Sequence, residues 1–334
     1  MGNKLFIYNN HFFNQLLIKP ESLKRDSKML LNKFISKINP SNNLPIDIKR
    51  SGYSKGLLAG YCIETGNEVY LDYHHLTQHV SICGSTGSGI SILRNSLLNQ
   101  QMSNGGGLLF IDGGLSDKEL ETVYQSVCST GRKNDFILIE PTDPDNSKSY
   151  KPELDFEELI LQNKIIYVKL PMFNDPENAV ALAKFIVGEC RSAIAQLQRL
   201  PVEALPNPPF MFWPNECSSY IDFSWCRMFE QGRSSRFIMI PTFQTIKSLE
   251  HDGDAGLSDI VLGNTYYKFY FKQLTTEAAI QVAAEIGMKS GSGSEETYVV
   301  DPEQIKSIPL GECLLVVGME QIYRLRLPLT DLTE

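Results

Sequence analysis

The sequence predicts an α/β protein built on a mostly parallel sheet with helices on both faces. From residue 79 onward, short apolar runs alternate with stretches of helical periodicity. The runs are continuous rather than alternating, which marks strands buried on both faces. One strand-to-helix junction, "CGSTGSGIS" (83–91), is glycine-rich, as a loop must be where backbone approaches a ligand closely.

The elements follow in order. "HVSIC" (79–83) leads through that loop into the helical "ISILRNSLLNQQM", and "GLLFID" (107–112) leads into "DKELETVYQSVCST". "FILIE" (136–140) and "IIYVKL" (165–170) read as strands, and a long helix is predicted over 178–199. "FMFW" (210–213), "FIMIP" (237–241) and "TYYKFYF" (265–271) complete the strand set, with "TTEAAIQVAAEIG" as a late helix. "ECLLVVG" and "IYRLRLP" read as a terminal hairpin, and "KSGSGSEE" (289–296) has the composition of a mobile loop. The first 78 residues differ: a polar, lysine-bearing helical piece to about residue 40, a proline-containing link, then the strands "LLAGYCI" and "EVYLD". The expected division is an N-terminal helical extension over 1–56 and a nucleotide-binding domain over 57–334.

Bulk properties exclude several classes. Of 334 residues, 42% are hydrophobic and 21% charged, which argues against both disorder and a membrane-embedded fold. No apolar run approaches the ~20 residues of a spanning helix, so a cytoplasmic location is expected, at the inner membrane only through partners. Seven dispersed cysteines without a C-x-x-C pair read as reduced thiols. A net charge of -8 disfavours a nucleic-acid-coating protein, although a basic lining inside an oligomer stays open.

The chemistry centres on the loop. The pattern G-x-x-x-x-G-K-[ST] is met at Gly84, Gly89 and Ser91, but Ile90 stands where the lysine belongs. Gly84, Ser85, Thr86, Gly87, Ser88, Gly89, Ile90, Ser91 and Ile92 would cradle phosphates with backbone N–H groups and a helix N-terminus. Ser91 is placed to put its hydroxyl on magnesium. The absent ammonium is worth about 1.5–3 kcal/mol as a charge-assisted hydrogen bond, or about 10- to 100-fold in affinity. A second signal is "FMFWPNECSSY", where an apolar strand ends in Asn215 and Glu216. Glu216 can polarise an attacking water, whereas Asn215 lacks the charge of a magnesium-holding aspartate. Gln244, after "FIMIP", could sense a γ-phosphate or simply open a helix. Arg233 reads as a solvated surface arginine or as a finger for a neighbouring subunit.

Taken together, "GSTGSGIS", "GGGLLFIDGG", "DPDNSKSY", "PFMFWPNE", "GRSSRFIMIPTFQ" and "GECLLVVG" occur in an order that resembles the coupling ATPases of type IV secretion and conjugation, within the HerA/FtsK-like motor class. The resemblance covers residues 68 to 328. It implies a RecA-like P-loop core, ATP or ADP with magnesium between subunits, and a homo- or hetero-oligomeric hexameric ring working with other secretion components, with DNA or protein as cargo. It also implies catalytic roles for Glu216, Gln244 and Arg233 and a metal role for Ser91 and Asn215. The departures cluster at the nucleotide site: Ile90 for lysine, Asn215 for aspartate, and Gly114 where the family commonly has a lysine. The family's transmembrane helices and its all-α insertion near "DPDNSKSYKPELDFEELI" are not seen in the sequence. Three readings remain open at this point: a pseudo-ATPase subunit acting through ring assembly or partners, an active ATPase using a lysine from elsewhere such as Lys118, and a scaffold without nucleotide.

Overall fold

The computed structural model describes residues 5–9, 56–114, 117–141, 155–250, 256–290, 296–318 and 321–328. Five strands run parallel in the order β6 (Phe136–Pro141), β7 (Ile165–Lys169), β5 (Leu108–Asp112), β8 (Phe210–Pro214) and β9 (Phe237–Met239). β1 (Leu5–Asn9) adds an antiparallel edge beside β6. A second sheet begins with parallel β10 (Thr242–Phe243), β4 (Val80–Cys83) and β11 (Tyr267–Tyr270). It continues antiparallel through β14 (Glu312–Val317), β15 (Gln321–Arg326), β2 (Leu57–Cys62) and β3 (Glu68–Leu71). β12 (Met288–Ser290) and β13 (Glu296–Tyr298) form a separate hairpin.

The stretch "FIMIP" is therefore a junction, not one strand. Pro241 has no N–H for a ladder, and the chain crosses there from one sheet to the other. Ile240 N–H donates to the Phe212 carbonyl at 2.8 Å, and the Pro241 carbonyl accepts from Ile82 N–H at 3.1 Å. These bonds hold β8 and β4 at a fixed offset on either side of the crossing.

Alternation along the strands explains the two-sided core. Leu109 and Ile111 of β5 and Phe210 and Phe212 of β8 join one buried cluster, while Leu108, Phe110, Met211 and Trp213 join the other. The second cluster is covered by α1 (Tyr73–Leu76), α2 (Ile90–Ser103) and α3 (Lys118–Ser129). The first is covered by α4 (Phe156–Leu161), α5 (Pro176–Leu197), α6 (Cys226–Gln231), α7 (Leu257–Gly263), α8 (Thr276–Ile286) and α9 (Pro302–Lys306). Both faces being covered, each strand can be apolar throughout, and β8 is buried along its whole length.

Some expectations shift. α5 starts at Pro176 rather than 178 because Asp175 caps it by accepting from Asn178 N–H and proline fits the first turn. The helical reading of the N-terminal segment fails at Leu5–Asn9, which pairs as a strand with β6; residues 10–55 lie outside the described residues. The glycine–serine stretch 291–295 also lies outside them, between the two strands of the β12–β13 hairpin.

His79 locks the entry to β4. Its backbone is left-handed, with φ 68, and its ring is buried. Met239 N–H donates to Nδ1 at 3.1 Å, which leaves the Nε2 proton to bond the Phe229 carbonyl at 2.8 Å. Burial pushes the imidazole pKa down from 6.5 to about 4. The folded state thus keeps it neutral, while the unfolded chain takes up a proton below pH 6.5. The stability it contributes is complete above pH 6.5 and is lost as pH falls toward 4, by about 3 kcal/mol. His79→Gln should be less stable than the parent chain at pH 7, with that gap narrowing by about 3 kcal/mol at pH 4 in urea unfolding; a constant gap would contradict the neutral buried imidazole.

Candidate nucleotide site

The site lies where the two sheets meet. β4 is buried along its length and ends at Cys83, and the loop 84–89 turns directly into α2. Gly84 leaves no space for a side chain: a Cβ there would lie 2.5 Å from Phe271 Cβ and 2.9 Å from Ser88 Oγ. Gly89 caps the helix at φ 105, a conformation open to glycine but strained for other residues.

The loop's own hydrogen bonds use only part of its donors. Gly84 N–H donates to the Phe243 carbonyl, Ser85 N–H to the Lys272 carbonyl and Ser88 N–H to the Ser85 carbonyl, each at 3.1 Å. Among the described residues no acceptor meets the N–H groups of Thr86, Gly87, Gly89, Ile90 and Ser91. These donors surround the positive end of a 14-residue helix, an anion-binding arrangement.

The open cleft over the loop is lined by Gly84, Ser85, Thr86, Gly87, Gly89, Ile90 and Ser91, and also by Asn215, Glu216 and Gln244. Sequence-distant candidates thus converge. Asn215 is buried, and its backbone is held by Ile111 and Tyr220, the latter donating its hydroxyl to the Asn215 carbonyl at 2.8 Å. Glu216 is exposed and left-handed, φ 49, which turns its side chain out of the strand line; a non-glycine residue there carries a strain of about 1 kcal/mol. Gln244 follows β10, the direct neighbour of β4. Thr242 lines the same cleft, and its Oγ1 is buried without a hydrogen-bond partner among the described residues. The unused N–H groups at the helix start fit a phosphate. A cation finds less: Ser91 hydroxyl, the neutral Asn215 amide, and one carboxylate, Glu216.

Other candidates lie elsewhere. Ser88 is buried beneath the loop, and Ile92 packs toward the core. Arg233 is exposed on a 3₁₀ turn (Gly232–Ser235) away from the cleft lining. Lys118 is exposed at the start of α3 and does not line the cleft either.

Two groups were missed from sequence. Arg94 lines the cleft although it is only 4% exposed, ion-paired with Glu119 and stacked over Phe110 at 5.4 Å. Burial lowers its pKa to about 10 against the pull of nearby Asp112 and Glu216, so it stays charged at neutral pH. Asp112, at the end of β5, is buried and accepts from the Tyr167 hydroxyl and from Gly114 N–H. Burial and that carboxylate raise the Tyr167 pKa and hold the phenol protonated. Arg94 lies one helical turn from Ile90, a spacing that i,i+4 geometry makes visible in sequence.

Comparison with solved structures gives the same architecture. The plasmid coupling protein TrwB in complex with GDPNP superposes with TM-score 0.58 at 11% identity, over 84% of this chain and 91% of TrwB. This is a coupling-protein-like, RecA-like P-loop fold. VirB4 of Thermoanaerobacter pseudethanolicus shares it, with TM-score 0.55 and 12% identity over 84% of this chain and 98% of VirB4. No family model matches the chain. Among curated proteins, the type 4 coupling protein DotL of Legionella pneumophila is 30% identical over 106 residues, which is 31% of this chain and 14% of DotL. No described helix of this coupling-protein-like fold is long and apolar enough to cross a membrane. Residues 142–154, around the expected loss of the all-α insertion, lie outside the described residues.

Gly84→Ala should cost about 1–3 kcal/mol in urea unfolding, because Phe271, just past β11, is held by its N–H bond to the Cys83 carbonyl and overpacking against its Cβ is not relieved by a rotamer change. An unchanged midpoint would show that the loop is free to move off the sheet.

Proposed function

We propose that this chain is a nucleotide-binding, hydrolysis-impaired subunit of a type IV secretion or conjugation apparatus. The observation that carries the reading is the loop with unused N–H donors at a helix N-terminus, combined with the absence of both the lysine and the aspartate that would drive phosphoryl transfer. TrwB, its structural relative, is known in complexes with ADP and Mg2+ and with a non-hydrolysable ATP analogue. In this chain the loop 84–91 would hold the β-phosphate of ATP or ADP. Ser91 and Asn215 would face a magnesium ion, Glu216 would polarise a water, and Gln244 would meet the γ-phosphate. The metal would supply charge neutralisation at the β- and γ-oxygens, which the neutral Asn215 supports poorly.

The chain would then act as a pseudo-ATPase through assembly. The exposed Arg233 would serve a neighbour's nucleotide in a homo- or hetero-oligomeric ring, with other secretion components as partners and DNA or protein as cargo. Residues 57–334 would form the nucleotide-binding unit, and 1–56 an extension tied to its sheet edge through β1. The retained Glu216 and Gln244 at the cleft favour a second reading, slow hydrolysis by an unconventional site.

Phosphate release separates the two. The unaltered chain is expected to show no magnesium-dependent turnover, alone or in assembled form. Ile90→Lys should tighten ATP binding by about 10-fold or more without turnover, and Ile90→Lys with Asn215→Asp should establish turnover. Turnover by the unaltered chain would establish the second reading, and turnover by Ile90→Lys alone would show that Asn215 is not limiting.

A further inference from the structure

We infer that Arg94 supplies the positive charge that position 90 lacks, exchanging its partner Glu119 for the terminal phosphates of a nucleoside di- or triphosphate. This rests on the nucleotide-binding reading and names the residue that makes it work without a lysine.

Four observations support it. Arg94 lines the cleft together with the loop, yet its guanidinium is almost fully buried. A buried guanidinium is a costly group to keep in a core, and it is held here by few bonds. Nη2 pairs with Glu119 and Nε reaches Asn95 Oδ1 at 3.4 Å, while no described residue accepts from Nη1. Buried Asp112 lies close enough for its charge to favour the guanidinium, but its hydrogen bonds are from the Tyr167 hydroxyl and from Gly114 N–H at 2.8 Å, not from Arg94.

Helix geometry supplies the reach. Residue 94 lies one turn, about 6 Å, beyond residue 90 along α2, and helical side chains lean toward the N-terminus. That lean brings an arginine at 94 toward the cleft that Ile90 and Ser91 also line. Ile90 lines that cleft without a charge to repel the guanidinium. Glu119, partly exposed at the first turn of α3, is a carboxylate that a phosphate can replace. Arginine's fork suits that exchange, since it bonds carboxylate and phosphate oxygens with the same geometry.

The test is ADP and ATP titration by calorimetry on the full chain and its variants. Arg94→Gln should weaken binding by about 10-fold or more. Glu119→Gln should tighten it, because the competing carboxylate is gone; a merely structural ion pair predicts no gain. Ile90→Lys should help more in the Arg94→Gln background than in the parent, since both residues would serve one phosphate. Equal gains in the two backgrounds, or unchanged affinity in a folded Arg94→Gln variant together with no gain from Glu119→Gln, would overturn the assignment. If Ile90→Lys binds nucleotide and the parent does not, Arg94 is not a substitute; if neither binds, the nucleotide-binding reading itself fails.

Discussion

Everything at this site depends on holding a short run of backbone N–H groups open to the cleft and away from any acceptor of the protein. Buried N–H groups without partners are costly, so such a loop persists only where the surroundings hold it and solvent or a ligand can reach it. Here β10 and β11 flank the P-loop strand and take the first donors: the Phe243 carbonyl accepts from Gly84 and the Lys272 carbonyl from Ser85. The remaining donors face outward at the helix start. Glycine at 84 and 89 is the sequence requirement for this geometry, one because Phe271 stands against it and the other because the turn is left-handed.

The junction at Ile240–Pro241 brings the other half of the site to that loop. By ending β9 and starting β10 it places Gln244 beside β4, and by bonding Phe212 it sets β8 so that Asn215 and Glu216 reach the same cleft. His79 fixes the opposite end of β4 by joining the Phe229 carbonyl to Met239 N–H. The sheet thus positions the site from three sides. Position 90 is aliphatic, position 215 is neutral, and the cation in the cleft is Arg94, resting on Glu119.

Much of this was legible in sequence because it follows local rules. Continuous apolar runs identified β4, β5, β7, β8 and β11, and the glycine spacing identified the loop between β4 and α2, although Ser88 and Ile92 lie off the cleft lining. What escaped was set by tertiary contacts. "FIMIP" reads as one strand until the carbonyl of Pro241 is seen bonding β4, and the segment at Leu5–Asn9 pairs across the chain with β6, which no local pattern announces. Arg94 sat in plain view at helical spacing from Ile90. Its importance depended on burial and on pairing with Glu119, a contact between residues far apart in the chain. Lys118, the example of a lysine from elsewhere in the chain, is exposed and lies off the cleft lining.

The reading stands or falls on whether the backbone cradle holds phosphate with isoleucine at position 90. Thermal unfolding of the unaltered chain in increasing ATP or ADP, with and without magnesium, tests it most directly. At about 100 times the dissociation constant a bound nucleotide stabilises the fold by roughly 2.7 kcal/mol, a clear rise in Tm. Such a rise is expected, with little dependence on magnesium because Asn215 is uncharged. No rise at millimolar nucleotide would contradict it.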